Sequence, residues 1–120
     1  MKMTNKTNQL TKKLIQDLRK SAYDNGAPIW RDVAERLNKP GKSWAEVNIS
    51  RIALHAKKNE VVLVPGKLLG SGDIDKPVTV AAYKASASAV KKISGAGGRV
   101  ITIDELVKEN PKGTGVRIMG

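Results

Sequence analysis

Three short stretches set glycine beside groups that could meet phosphate: Gly41-Lys42-Ser43, Gly70-Ser71-Gly72-Asp73 and Gly95-Ala96-Gly97-Gly98. The first ends like a phosphate-binding loop. That motif also needs a glycine five positions earlier, where this chain has Arg36, and a strand before and a helix after the loop. Here a helical pattern precedes Gly41 and a strand pattern follows Ser43. The third stretch follows a predicted helix, whereas a dinucleotide fingerprint lies between a strand and the helix it opens. Its expected role is therefore to stop a helix and return the chain into a strand. A phosphate-bearing ligand at Gly70–Asp73 or Gly95–Gly98 defines an enzymatic alternative, but no residue is spaced as its general base.

Other chemistry is sparse. There is no cysteine and only one histidine, His55, which excludes disulfides, thiolate nucleophiles and histidine or cysteine metal clusters. No cofactor is expected. Asp104, Glu105 and Glu109 are explained by helix-end electrostatics and a solvated helix face. Asn5-Lys6-Thr7 and Asn48-Ile49-Ser50 match a glycosylation pattern that carries no weight without a secretory signal.

The elements that would position these groups follow from hydrophobic spacing. Leu10, Leu14, Ile15, Leu18 and Ala22 predict an amphipathic helix ending at Asn25-Gly26, and residues 1–9 form a basic segment expected to be mobile until bound. Pro28 opens a second helix with Trp30, Val33, Ala34 and Leu37 on one face. After the Pro40-Gly41 turn, Glu46 to Ile49 reads as a strand, and Ser50 caps a helical piece through Ala56. Val61 to Val64 is the most strand-like run; Pro65-Gly66 is expected to break it, with a second extended piece at Leu68-Leu69. Val78 to Ala82 is a further strand. Ala85, Ala89, Val90 and Ile93 mark a helix, and Arg99 to Ile101 a strand. Thr102 and Glu105 have capping-box spacing, with Ile101 and Leu106 as the hydrophobic staple, so a last helix runs to about Asn110. The expected fold is a single compact mixed α/β domain over residues 1–120, with an N-terminal helical unit and short strands interleaved with helices.

Charge is the dominant feature. Twenty-two Lys and Arg face 11 Asp and Glu in 120 residues, a net charge of +11. Residues 1–60 carry 13 basic and 6 acidic side chains and residues 61–120 carry 9 and 5, so the excess is spread along the chain. Distributed cations point to nucleic acid, where each neutralised phosphate releases a counterion. No apolar run is long enough to span a membrane and no secretory pattern is present, so a cytosolic protein without a membrane partner is expected. Lys39 and Lys42 flank Pro40-Gly41, Lys67 follows Pro65-Gly66, Lys112 precedes Gly113, and Arg117 sits in a Gly-rich tail. Turns of this kind suit shape-based recognition of folded RNA through phosphates and 2′-hydroxyls. With Trp30, Trp44, Tyr23 and Tyr83 as the only aromatics, base-by-base reading of single strands is disfavoured. Trp44 either stacks on a base or anchors its turn in the core.

The blocks "VNISRI", "VVLVPGKLLGSGDI", "PVTVAA" and "GAGGRVITIDELVKENPKGTGVRI" occur in this order. The chain resembles the archaeal and eukaryotic large-subunit ribosomal protein family L-eighteen-e, related to the C-terminal domain of bacterial-type L-fifteen. The resemblance runs from about Leu10 to the end and implies a noncatalytic constituent of the large ribosomal subunit in the cytoplasm. It further implies binding to large-subunit ribosomal RNA and to neighbouring ribosomal proteins, with no small-molecule substrate and a monomer outside the ribosome. A free structured-RNA-binding module is the alternative. The candidate RNA-facing residues are Lys2, Lys6, Lys12, Lys13, Lys39, Lys42, Trp44, Arg51, Lys67, Arg99, Lys112 and Arg117. Lys39, Lys42, Lys67, Arg99 and Arg117 lie within or beside the matching segments, whereas the four N-terminal lysines rest on charge alone.

Overall fold

The computed structural model describes residues 2–120, with side chains from Gln9 onward. The expected mobile segment over residues 1–9, together with Lys2 and Lys6 as contacts, belongs largely to side chains outside the described residues. Helix α1 spans Lys2–Asn25. Ile15 and Leu18 are buried on its inner face, whereas Leu10, expected in the same stripe, is 65% exposed. Gly26 ends the helix at φ +58°, and Ala27 N–H reaches back to Ala22 O at 3.0 Å, closing the last turn as a left-handed glycine permits. Helix α2, Pro28–Leu37, begins on Pro28 and buries the predicted face of Trp30, Val33, Ala34 and Leu37.

Five strands form one parallel sheet among the described residues: β1 Ala45–Asn48, β2 Val61–Leu69, β3 Thr79–Ala85, β4 Arg99–Thr102 and β5 Val116–Ile118. Strand β2 is central. Strand β3 lies on one side of it with β4 beyond, while β1 and β5 share the other side end to end: β5 pairs with Val61–Leu63 and β1 with Gly66–Leu69. Helices α3 (Ile49–His55) and α4 (Ala87–Gly95) cover one face; α1, α2 and α5 (Ile103–Glu109) cover the other. Strand alternation divides the core accordingly. Val62, Val64, Val80 and Ala82 join Ile52, Ala89 and Ile93, whereas Leu63, Ala81 and Ile101 join Leu18, Trp30 and Leu106. Burial on both faces explains why Val61 to Val64 is continuously apolar.

Two expectations are corrected. Pro65-Gly66 does not break the strand: β2 continues to Leu69 through an irregularity in which Val64 pairs with Ala82 and Lys67 with Lys84, one extra residue on β2. Proline is accommodated at such a bulge, where ladder hydrogen bonding is already interrupted. Gly66 fits because β1 comes so close that a Cβ there would collide with the Ala45 backbone. The second correction is the Gly-rich tail, which contains strand β5, with Gly113 and Gly115 at positive φ before it. Smaller differences concern caps: Asn48, not Ser50, precedes α3, and Ser86 caps α4 by accepting from Ala89 N–H. The predicted capping box is present, with Glu105 N–H donating to Thr102 Oγ1 at 3.2 Å and Thr102 N–H to Glu105 Oε1 at 2.8 Å.

Candidate nucleic-acid interface

The sheet brings together cations that are distant in sequence. Lys67 of β2 and Lys84 of β3 are register partners near the carboxyl ends of their strands. Helix α1 supplies Lys12, and the α2–β1 connection supplies Lys39. These four lysines line one open cleft of about 410 Å³, with Thr11, Pro40, Gly41 and Trp44 also in its wall. Among the described residues, no carboxylate lies within ion-pairing distance of any of the four. Unpaired like charges on rigid elements repel one another and raise the local concentration of anions. The position also suits ligand binding, since open parallel sheets bind outside the carboxyl ends of their strands.

Trp44 shapes the cleft from behind. Its indole N–H donates to Leu37 O at 3.2 Å and Lys39 O at 3.0 Å, and its ring meets Tyr83 edge-on with centroids 4.9 Å apart. Tyr83 in turn shares a 2.7 Å hydroxyl hydrogen bond with Thr11. The half-buried tryptophan therefore anchors the turn that carries Lys39 while still lining the cleft. Lys42 stands exposed beside this site in the 3₁₀ turn Gly41–Ser43. That turn is closed on itself, with Ser43 N–H on Pro40 O at 2.8 Å and Trp44 N–H on Gly41 O at 3.1 Å. Those two amides are not available to cradle a phosphate.

The other glycine loops are also committed internally. Lys92 Nζ donates to Gly70 O at 2.8 Å and Gly72 O at 2.6 Å, Ser71 N–H donates to Asn48 Oδ1, and Ser50 N–H donates to Ser71 O. Gly97 N–H and Gly98 N–H complete the end of α4 on Ser94 O and Ile93 O, and a Cβ on Gly98 would collide with Val78 O. Both loops serve packing.

The remaining predicted residues are dispersed. Lys13 is exposed and paired with Asp17 at 3.2 Å, and Arg51 of α3 lines a separate hollow with His55 and Arg117. Besides Lys13, three more of these candidates have charged or carbonyl partners within the chain. Arg99 forms a two-pronged pair with Glu109, Arg117 Nε lies 2.8 Å from Glu60 Oε2, and Lys112 Nζ donates to Asn25 O at 3.0 Å. The Glu60 carboxyl is held below its ordinary range first by the Lys57 N–H and then by Arg117. Glu109 is likewise held low, chiefly by its hydrogen bonds from Arg99, and the Arg99 guanidinium is raised in return. Lys67 is not a turn residue as expected but a strand residue beyond the bulge. Lys84 was missed because it follows no turn signal; its trace in the sequence is a lysine at the end of the apolar strand "TVAAYK". Among the described residues no group of three or more His, Asp or Glu is placed to hold a metal, and no helix is long and apolar enough to cross a membrane.

Comparison with known proteins gives concordant matches. The family described as ribosomal proteins 50S-L15, 50S-L18e and 60S-L27A matches residues 28–101, which include Lys39, Lys67 and Lys84. The large ribosomal subunit protein eL18 of Archaeoglobus fulgidus is 57% identical over 106 residues, covering 88% of this chain and 91% of that protein. Its namesake in Methanococcus maripaludis is 47% identical over 119 residues, covering 99% of each, and that of Methanopyrus kandleri 48% over 121 residues, covering 97% and 95%.

Proposed function

We propose, because the chain belongs to the family of ribosomal proteins 50S-L15, 50S-L18e and 60S-L27A, that it is a structural constituent of the large ribosomal subunit that binds and stabilises folded ribosomal RNA. Its part in translation is noncatalytic and is carried out in the cytoplasmic ribosome. The observation supporting RNA contact is the cleft, where Lys12, Lys39, Lys67 and Lys84 converge without an acidic partner among the described residues. Lysine heads on a rigid sheet act as point charges for phosphate oxygens, and such contacts fix position on RNA by shape rather than by base identity. Neighbouring large-subunit proteins are further partners. Outside the ribosome the chain is a monomer with no small-molecule substrate.

Replacing Lys67 and Lys84 with alanine together is expected to weaken binding to large-subunit ribosomal RNA and to flatten its salt dependence by about one unit of slope per lost phosphate contact. An unchanged slope removes the cleft from the interface. Sedimenting native ribosomes at low and high salt tests the wider reading: retention at equal stoichiometry supports an integral constituent, and release into light fractions favours a free RNA-binding module.

A further inference from the structure

The opposite end of the sheet carries a second cationic surface. Because the sheet is parallel, Val61, Thr79, Arg99 and Val116 stand in one row at the amino ends of their strands, and the loops entering those strands gather beside one another. Lys57 and Lys58 lie in the loop before β2, and Lys76 in the loop before β3. These loops are pinned together. Asn59, which adopts a positive φ (+64°), donates its N–H to Pro77 O at 2.7 Å, and Thr79 N–H donates to Glu60 O at 3.1 Å. Between them runs a shallow groove of about 200 Å³ lined by Asn59, Pro77, Thr79, Gly97 and Arg99.

The acids at this end offset these lysines only in part: Asp75 is exposed beside Lys76, and the Lys57 ammonium adds a minor attraction to Glu60, but none forms an ion pair with the three. Glu60 is engaged by Arg117 and by the Lys57 N–H, and Glu109 by Arg99. Among the described residues Lys57, Lys58 and Lys76 have no carboxylate within ion-pairing distance. Five residues along β3, from Thr79 to Lys84, separate this row from the row of Lys67 and Lys84, a strand distance of roughly 17 Å. That exceeds the Debye length of about 8 Å at physiological salt, so the two ends act as separate anion sites.

We propose that Lys57, Lys58 and Lys76 form a second phosphate-binding surface, so that one molecule joins two RNA segments, one at each end of its sheet. The inference rests on the RNA-binding reading above and adds its geometry: the protein is a tie between RNA elements rather than a cap on one.

The test counts RNA hairpins bound per full-length protein at low salt, using one short hairpin in excess and native mass spectrometry. Wild type is expected to hold two hairpins. The Lys57→Ala, Lys58→Ala, Lys76→Ala variant and the Lys39→Ala, Lys67→Ala, Lys84→Ala variant are each expected to hold one. A parallel capture assay on an immobilised hairpin should see wild type retain a second, labelled hairpin and both variants lose at least tenfold of that signal. Glutamine replacements at the same positions, checked by circular dichroism, guard against misfolding. One hairpin on wild type, or two on the amino-end variant, overturns the inference and leaves the RNA-binding reading intact. No hairpin on wild type overturns both.

Discussion

Arg117 and Glu60 illustrate how a residue's role depends on what stands opposite it. A lone arginine near glycines resembles an RNA contact, but here its guanidinium meets a carboxylate 57 positions away and holds β5 against the turn before β2. Glu60 is kept below its ordinary value of 4.5 by the Lys57 N–H and by Arg117. A carboxyl depressed in the folded state contributes stability that is fully present above its unfolded value and is lost as pH falls through the folded one. Acid unfolding should therefore steepen below about pH 4.5, where Glu60, Glu35 and Glu109 all contribute with the same sign. In Glu60→Gln the loss of stability between pH 6 and pH 3, read from urea midpoints, is expected to be smaller than in wild type. A gap between the two proteins that does not change with pH would falsify the assignment.

At the scale of elements, the last helix and the central strand make a contrast. Helix α5 has only seven residues, too short to persist alone, and its start is fixed by reciprocal hydrogen bonds between Thr102 and Glu105 and by burial of Ile103 and Leu106. Thr102→Ala should cost about 1 kcal/mol, lowering the urea midpoint with no change in the slope of the transition. A variant as stable as wild type would mean that packing alone sets the helix start. This element was legible because a capping box is local: three residues of spacing carry the whole signal. Strand β2 was legible over Val61 to Val64 but its continuity to Leu69 was not, since Pro65-Gly66 reads as a turn everywhere except where β1, β3 and β5 hold the chain extended on both sides of it. The same holds for β5, whose Val116-Arg117-Ile118 alternation is too short to stand out from the glycines around it.

The whole molecule carries +11 on a body with a 14.1 Å radius of gyration. In water, charge at that density stores on the order of 10 kcal/mol of unscreened self-repulsion, while the seven ion pairs among the described residues lie mostly at the surface and return little each. Repulsion therefore dominates the salt response of the free protein. Raising ionic strength from about 0.01 M to about 0.15 M shortens the Debye length from roughly 30 Å to 8 Å and should raise the thermal midpoint by several degrees. A falling midpoint would mean that the ion pairs outweigh the repulsion. The domain is thus built to be most stable when its charge is met by a polyanion, by the same mass action that stabilises any bound native state.

By itself the sequence determined the mixed α/β class, the bounds of α2, the capped start of α5, the aliphatic core and the large excess of positive charge. Each of these is either local, set by spacing within a few residues, or global, set by a sum over the chain. The family, too, was legible, because ordered blocks such as "VVLVPGKLLGSGDI" survive as text. Only the tertiary structure decided which cations stand together. Lys12, Lys39, Lys67 and Lys84 span 72 positions and meet because α1 and the α2–β1 connection pack beside the register pair Lys67 and Lys84, while Arg99, Lys112 and Arg117, though exposed, are engaged by Glu109, the Asn25 carbonyl and Glu60. Charge is additive along a chain, but whether a given charge is free depends on its neighbours in space.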